Sequence, residues 1–121
     1  MMMNAIQSFE DLDVWKKAHQ LVLGIYRLTV TFPDHEKFGL VSQMRRCAVS
    51  VPANIAEGFK RRGMKDKAHF YNIAQGSLEE LHYYLILARD LHYLQDISTE
   101  LEQADHIGRM LNSLINSILQ R

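Results

Sequence analysis

Glu79 and His82 lie three residues apart, the Glu-x-x-His spacing by which helix bundles present a carboxylate and an imidazole to a metal ion on one face. A two-metal bundle site needs two copies of that pattern plus a glutamate from each remaining helix, and this chain has one copy. Glu102 with His106, and Asp105 beside His106, add no closed ligand shell. The other histidines fall singly, no Ser-His-Asp grouping is legible, and no Gly-rich loop precedes a helix. Neither a metal, nor a cofactor, nor a catalytic centre is therefore expected. Cys47 follows Arg46, which would lower a thiol pKa, but it also borders an apolar stripe, where a buried and inert thiol is the expectation.

The remaining chemistry is charge. The chain carries 14 basic and 14 acidic side chains, so bulk charge cannot make it coat a polyanion. The charges are unevenly divided, however. From Gln43 to His69 seven Lys or Arg face two acids, and from Glu79 to Asp105 seven acids face Arg89 alone. Arg45, Arg46, Lys60, Arg61, Arg62, Lys65 and Lys67 are the candidate nucleic-acid contacts, with Phe70 or Tyr71 as a stacking face. If the segment is helical, Arg45 and Lys60 sit within about 60° around the axis and about 22 Å apart along it. The bland alternative is a solvated helix end whose cations suit the dipole. Between these charges, Arg46, Ser50, Asn54 and Glu57 follow one helix face at steps of four, four and three. Polar groups beside an apolar stripe are expensive unless paired, so Ser50, Asn54 and Glu57 are expected to form a structural polar network with Arg46.

Four helical segments must position these residues, at about 11–31, 36–62, 65–95 and 98–120. The first carries Val14, Ala18, Leu21, Ile25, Leu28 and Phe32 at alternating steps of four and three, with Ser8 or Asp11 as N-cap and Phe32-Pro33 as terminator. The second repeats the pattern with Leu40 or Val41, Met44, Ala48, Val51, Ile55 and Phe59, and contains Pro52. An interior proline costs about 3 kcal/mol in an exposed helix, so the segment either kinks or restarts at Pro52. The stripe keeps phase across it, which favours a kinked continuous helix ending at Gly63 as C′. The third segment centres on Phe70, Ala74, Ser77, Leu81, Tyr84, Ala88 and Leu91, with enough flanking apolar residues to suggest a subunit interface. The fourth begins with Thr99 and Glu102 at capping-box spacing and continues through Ala104, Ile107, Leu111, Leu114 or Ile115, and Ile118. Gly24, Gly76 and Gly108, each inside a helix, imply close backbone approach.

Short connections between four such segments give an all-α, up-down-up-down antiparallel four-helix bundle, one domain over residues 1–121. No apolar run reaches the roughly 18 residues needed to span a bilayer, and MMMNAIQSF has no signal-peptide pattern. One cysteine makes no internal disulfide, so a cytoplasmic protein with no membrane partner is expected.

The run from Phe9 to Leu94 resembles the bacterial four-helix-bundle family of proteins encoded in intervening sequences of 23S ribosomal RNA genes. The resemblance is carried by FEDLDVWKKAHQL, by the FP turn at Phe32-Pro33, by FGLVSQMRRCAVSVPANIAEG from Phe38 to Gly58, and by IAQGSLEEL from Ile73 to Leu81. His82 departs from the acid common at its position, and the chain beyond Gln95 carries little of the signature. A distant relative is the accessory protein of diversity-generating retroelements, a bundle pentamer that associates with a reverse transcriptase and nucleic acid. The resemblance implies a non-enzymatic homo-oligomer, a pentameric ring, that binds RNA or DNA or a nucleic-acid enzyme through basic residues. The competing expectation is an adaptor that binds only protein, its basic residues serving assembly.

Overall fold

A computed structural model describes residues 5–120. Its four helices are α1 (Asp13–Thr29), α2 (Leu40–Lys60), α3 (Met64–Asp90) and α4 (Ser98–Leu119), with single 3-10 turns at Phe9–Asp11 and Asp34–Glu36. Consecutive helices pack on one another, α4 closes on α1, and neither diagonal pair is in close contact among the described residues. Three-residue and loop connections between packed neighbours make the helices antiparallel, so the four-helix bundle read from periodicity is the observed fold.

The core is the set of stripes that the sequence spacing marks. Ala18, Ile25, Met44, Ala48, Val51, Ile55, Leu81, Leu85 and Leu111 are completely buried. In α4 it is Ile115 that is buried, with Leu114 beside it half-buried. In α3 the inner row differs from the one expected. Tyr71, Ala74, Leu78, Leu81, Leu85 and Ala88 face inward, Phe70, Ser77 and Tyr84 lie at the margin, and Leu91 is exposed. The helix is covered on one side by α2 and on the other by α4, and that turns its inner face toward the Tyr71–Leu78–Leu85 row. Most of its apolar surface is thereby covered within one chain, leaving Ile73, Tyr83 and Leu91 exposed.

α2 passes through Pro52 without interruption, and the Pro52 ring is itself buried. Proline leaves the Ala48 carbonyl without its usual donor. Burial of Val51 and Ile55 on either side holds the chain helical regardless, because most helix stability in a protein comes from packing of the apolar face.

The ends depart from expectation. α2 stops at Lys60, and Arg61 is extended (φ −69°, ψ 148°), so Arg61 and Arg62 lie beyond its last turn. Gly63 is no C′ residue. Its φ of −80° is ordinary, and it precedes the first turn of α3. α3 ends five residues early, because His92 adopts the left-handed conformation (φ 66°) and turns the chain so that the Tyr93 amide donates to the Ala88 carbonyl. At the start of α4 no Thr99–Glu102 box forms, and Asp96 accepts from the Ser98 amide instead. Ser8 and Asp11 do form a capping box, around the 3-10 turn that precedes α1.

The turn at His92 brings Tyr93 against the α1–α2 connection. Its ring lies 5.2 Å from that of Phe32, and its hydroxyl donates to Glu36 Oε2 at 2.9 Å. Glu36 Oε1 meanwhile accepts from the Leu40 amide at the start of α2. One carboxylate thus ties two connections together and satisfies a helix amino end. The Leu40 amide first, and the Tyr93 hydroxyl second, hold the Glu36 carboxyl below its ordinary range. A depressed folded-state pKa contributes stability that is full above the unfolded value, about 4.3 for glutamate, and is lost as pH falls through the folded one. Glu36→Gln is therefore expected to melt below wild type at neutral pH, and the difference between the two midpoints should shrink as pH drops below about 4. Thermal melts followed by circular dichroism across pH 3–7 measure this.

Candidate nucleic-acid interface

The seven cations of the basic stretch divide into two groups. Arg45 is part of the frame. Its Nε donates to Thr29 Oγ1 at 2.9 Å, a terminal nitrogen donates to the Tyr26 carbonyl, and the guanidinium lies 4.6 Å from the Tyr26 ring centroid. Thr29 is itself buried and donates to the Ile25 carbonyl. Tyr26 belongs to the last turn of α1, so a cation from α2 satisfies an orphan carbonyl there and meets the negative end of the dipole.

Lys67 does the same for α2. Its ammonium donates to the Phe59 carbonyl at 2.7 Å and the Gly58 carbonyl at 3.3 Å, and sits 5.5 Å from the Phe59 ring centroid. Burial pushes its pKa down. Arg61 is likewise engaged. It donates to Glu57 Oε2 at 2.8 Å, lies 4.6 Å over the Phe70 ring, and has Asp66 Oδ2 4.0 Å from its Nε.

Arg46, Lys60, Arg62 and Lys65 form the second group. Each is exposed, and none makes a hydrogen bond or ion pair among the described residues. Lys60, Arg62 and Lys65 cluster around the tight turn between α2 and α3, while Arg46 stands further back along α2. The expected aromatic platform is missing at this corner. Tyr71 is 2% exposed, its ring packed where Gly58 leaves room, and Phe70 is covered by Arg61.

The polar network exists, with different members. Asn54 Nδ2 donates to the Ser50 carbonyl and to Ser50 Oγ, and Ser77 Oγ of α3 donates to Ser50 Oγ at 2.8 Å. Glu57 is not in it, and Arg46 is not its cation, because α2 ends close enough for Arg61 to reach Glu57 four residues back. The network therefore bridges α2 and α3 with neutral groups, which avoids the desolvation cost of a buried ion pair. Ser77 could have been suspected from its place in an apolar helical row. Only the packing shows that it faces Ser50.

Cys47 completes this seam by donating from Sγ to the Ser77 carbonyl at 2.9 Å. Burial, with the Glu80 charge nearby, pushes its thiol up to about 12. At pH 8 so little thiolate is present that labelling by a thiol reagent should run at least ~100-fold slower than for a free cysteine. Quantitative labelling is expected only after denaturation, and a fast reaction in the native protein would show that α2 and α3 open there.

No group of three or more metal-binding side chains converges among the described residues. Glu79 and His82 border a shallow cleft between α3 and α4 in which Asp105 pairs with Arg109, and Gln75 donates to the Gly108 carbonyl and Asn112 Oδ1. That crossing accounts for Gly108, where a Cβ would come within 3.3 Å of Gln75 Oε1. Gly24 and Gly76 have open space instead of the expected close approach, and the tightest helical glycine is Gly58.

Four antiparallel helices packed in a square, with a neutral polar seam between α2 and α3, define a four-helix-bundle protein. No helix among the described residues is long and apolar enough to cross a membrane. The chain belongs to the 23S rRNA-intervening sequence protein family, whose model matches residues 10–113. A solved structure from Bacteroides thetaiotaomicron, a protein of unknown function from the S23 ribosomal protein family, superposes with a TM-score of 0.76 at 24% identity. The match covers 84% of this chain and 97% of that one, and it shows a shared fold. No curated protein matches the sequence.

Proposed function

We propose that this protein is a non-enzymatic, cytoplasmic homo-oligomer, a pentamer by its family resemblance, that binds RNA or DNA through Arg46, Lys60, Arg62 and Lys65. The observation that supports this most is that these four cations are exposed and lack partners, while three neighbouring cations are consumed by the fold. Cations needed only for stability would be expected to find carbonyls or carboxylates, as Arg45, Arg61 and Lys67 do. The ribosomal names carried by the matching family and by the solved relative are consistent with a nucleic-acid partner, or with an enzyme acting on one.

A second reading is an adaptor that contacts only protein. It is favoured by Val30 and Phe38, exposed at 72% and 88%. Titration at low ionic strength with structured RNA and with duplex DNA separates the two readings. Phosphate binding weakens steeply as salt is added, and an apolar contact does not. Absence of binding to either nucleic acid at about 50 mM salt would leave the adaptor.

A further inference from the structure

Which form of nucleic acid suits this surface depends on how its cations are held and on what lies between them. Arg46 and Lys60 stand on one continuous helix, about 21 Å apart along the axis and about 40° apart around it. Of the exposed residues between them on that side, Val49 and Ala53 offer neither charge nor a hydrogen-bonding side chain, and the Glu57 carboxylate is neutralised by its ion pair with Arg61. Arg62 and Lys65 join Lys60 across a turn of three residues, Arg61 to Gly63, which Lys67 and Arg61 brace from within. The surface therefore has two positive loci at a fixed separation, with a neutral strip between.

Proteins that hold single strands combine a cationic track with aromatic faces on which successive bases stack. At this corner the phenyl and phenol faces are taken, and the exposed ring left there is the small imidazole of His69. Tyr71 is buried, the Arg61 guanidinium covers Phe70, and the Lys67 ammonium lies by Phe59. The more exposed rings are elsewhere. Phe38 precedes α2 at its opposite end, and Tyr83 lies within one helical turn of the exposed carboxylates Glu79 and Glu80, which repel phosphate. A single strand would have to order itself across the neutral strip with no partner for its phosphates or its bases. A double helix has already lost that freedom. It is stiff over roughly 150 base pairs, carries about one phosphate per 1.7 Å of axis, and so supplies phosphates to both loci without further ordering.

We infer that the basic face takes the paired phosphate backbones of a double helix, whether RNA or DNA, in preference to a single strand, and that it reads no bases. The inference rests on the nucleic-acid reading above and adds the form of the ligand to it. It is tested by fluorescence anisotropy of the intact protein at about 50 mM salt, using a 20-base-pair RNA duplex, a 20-base-pair DNA duplex, sequence-shuffled versions of each, and an unstructured 20-nucleotide strand. Both duplexes should bind, shuffling should leave their affinities within about twofold, and the single strand should bind at least ~10-fold more weakly. Arg46→Gln, a change at an exposed position, should lower duplex affinity several-fold, reduce the salt slope by about one, and leave single-strand binding nearly unchanged. A single strand that binds as tightly as the duplexes, or a more than tenfold preference among duplex sequences, overturns the inference while nucleic-acid binding stands. Failure of every probe to bind removes the underlying reading as well.

Discussion

Replacing Gly58 by alanine is expected to lower the thermal midpoint by roughly 4–12 °C, although a glycine-to-alanine change inside a helix ordinarily stabilises by up to about 1 kcal/mol. Gly58 is buried in the last turn of α2, where the chain is about to reverse into α3. A Cβ built there would lie 2.7 Å from Tyr71 Cε1, 2.9 Å from Tyr71 Cδ1 and 3.2 Å from Phe70 Cβ. The Tyr71 ring is 2% exposed and part of the core, so helix or ring must shift, an overpacking that costs roughly 1–3 kcal/mol. The shift would also disturb the Gly58 and Phe59 carbonyls that Lys67 caps. Thermal and urea melts measure the effect. Gly24→Ala is the control, since nothing lies within 4 Å of its Cβ position and the propensity gain should appear undiminished. Combining Gly58→Ala with Tyr71→Leu should cost less than the sum of the two single changes, because the clash is a pairwise term. A Gly58→Ala protein as stable as wild type would mean that α2 and α3 meet less tightly than described.

Neutralising Arg46, Lys60, Arg62 and Lys65 together, each to glutamine, is expected to remove almost all of the salt dependence of duplex binding. Four phosphate contacts give a log–log slope of about −3.6, so wild-type affinity should fall about a hundredfold between 50 and 200 mM salt. In the quadruple variant the low-salt affinity should already be that weak, with little further loss as salt rises. Its thermal midpoint should stay near that of wild type, since none of the four side chains holds a partner among the described residues. Arg45 and Lys67 should behave in the opposite way. Replacing Arg45 frees the Thr29 hydroxyl and a carbonyl in the last turn of α1, and replacing Lys67 frees two carbonyls at the end of α2. Both changes should lower the midpoint and leave the salt slope of the folded protein unaltered. If duplex affinity instead tracks Arg45 and Lys67 in proteins that remain folded, the division of the basic stretch into framework and contact residues is wrong.

That division marks the boundary between what local sequence shows and what it hides. The stripe residues of α1, α2 and α4 were legible because burial follows a period of 3.6 wherever a helix packs on one side. Continuity through Pro52 was legible for the same reason, since Val51 and Ile55 keep one phase across it. In α3 the apolar residues form several adjacent rows, and periodicity could not choose among them. Packing against α2 and α4 chose the Tyr71–Leu78–Leu85 side. Helix ends were the least legible feature. The left-handed turn at His92, the Asp96 cap and the Glu36 bridge each use a residue type compatible with many other positions.

The sequence by itself determined that this chain folds as four amphipathic helices and that its charge is segregated along them. Those properties follow from residue type and spacing along a single helix. The tertiary structure decided which polar groups meet. It placed Ser77 rather than Glu57 against Ser50, put Tyr71 under Gly58, turned Arg45 and Lys67 into caps for the preceding helices, and left Arg46, Lys60, Arg62 and Lys65 facing outward. A cation's role depends on whether a carbonyl, a carboxylate or a ring comes within about 3–5 Å of it. In a bundle those partners come largely from the neighbouring helix, at a register that periodicity along one helix does not record.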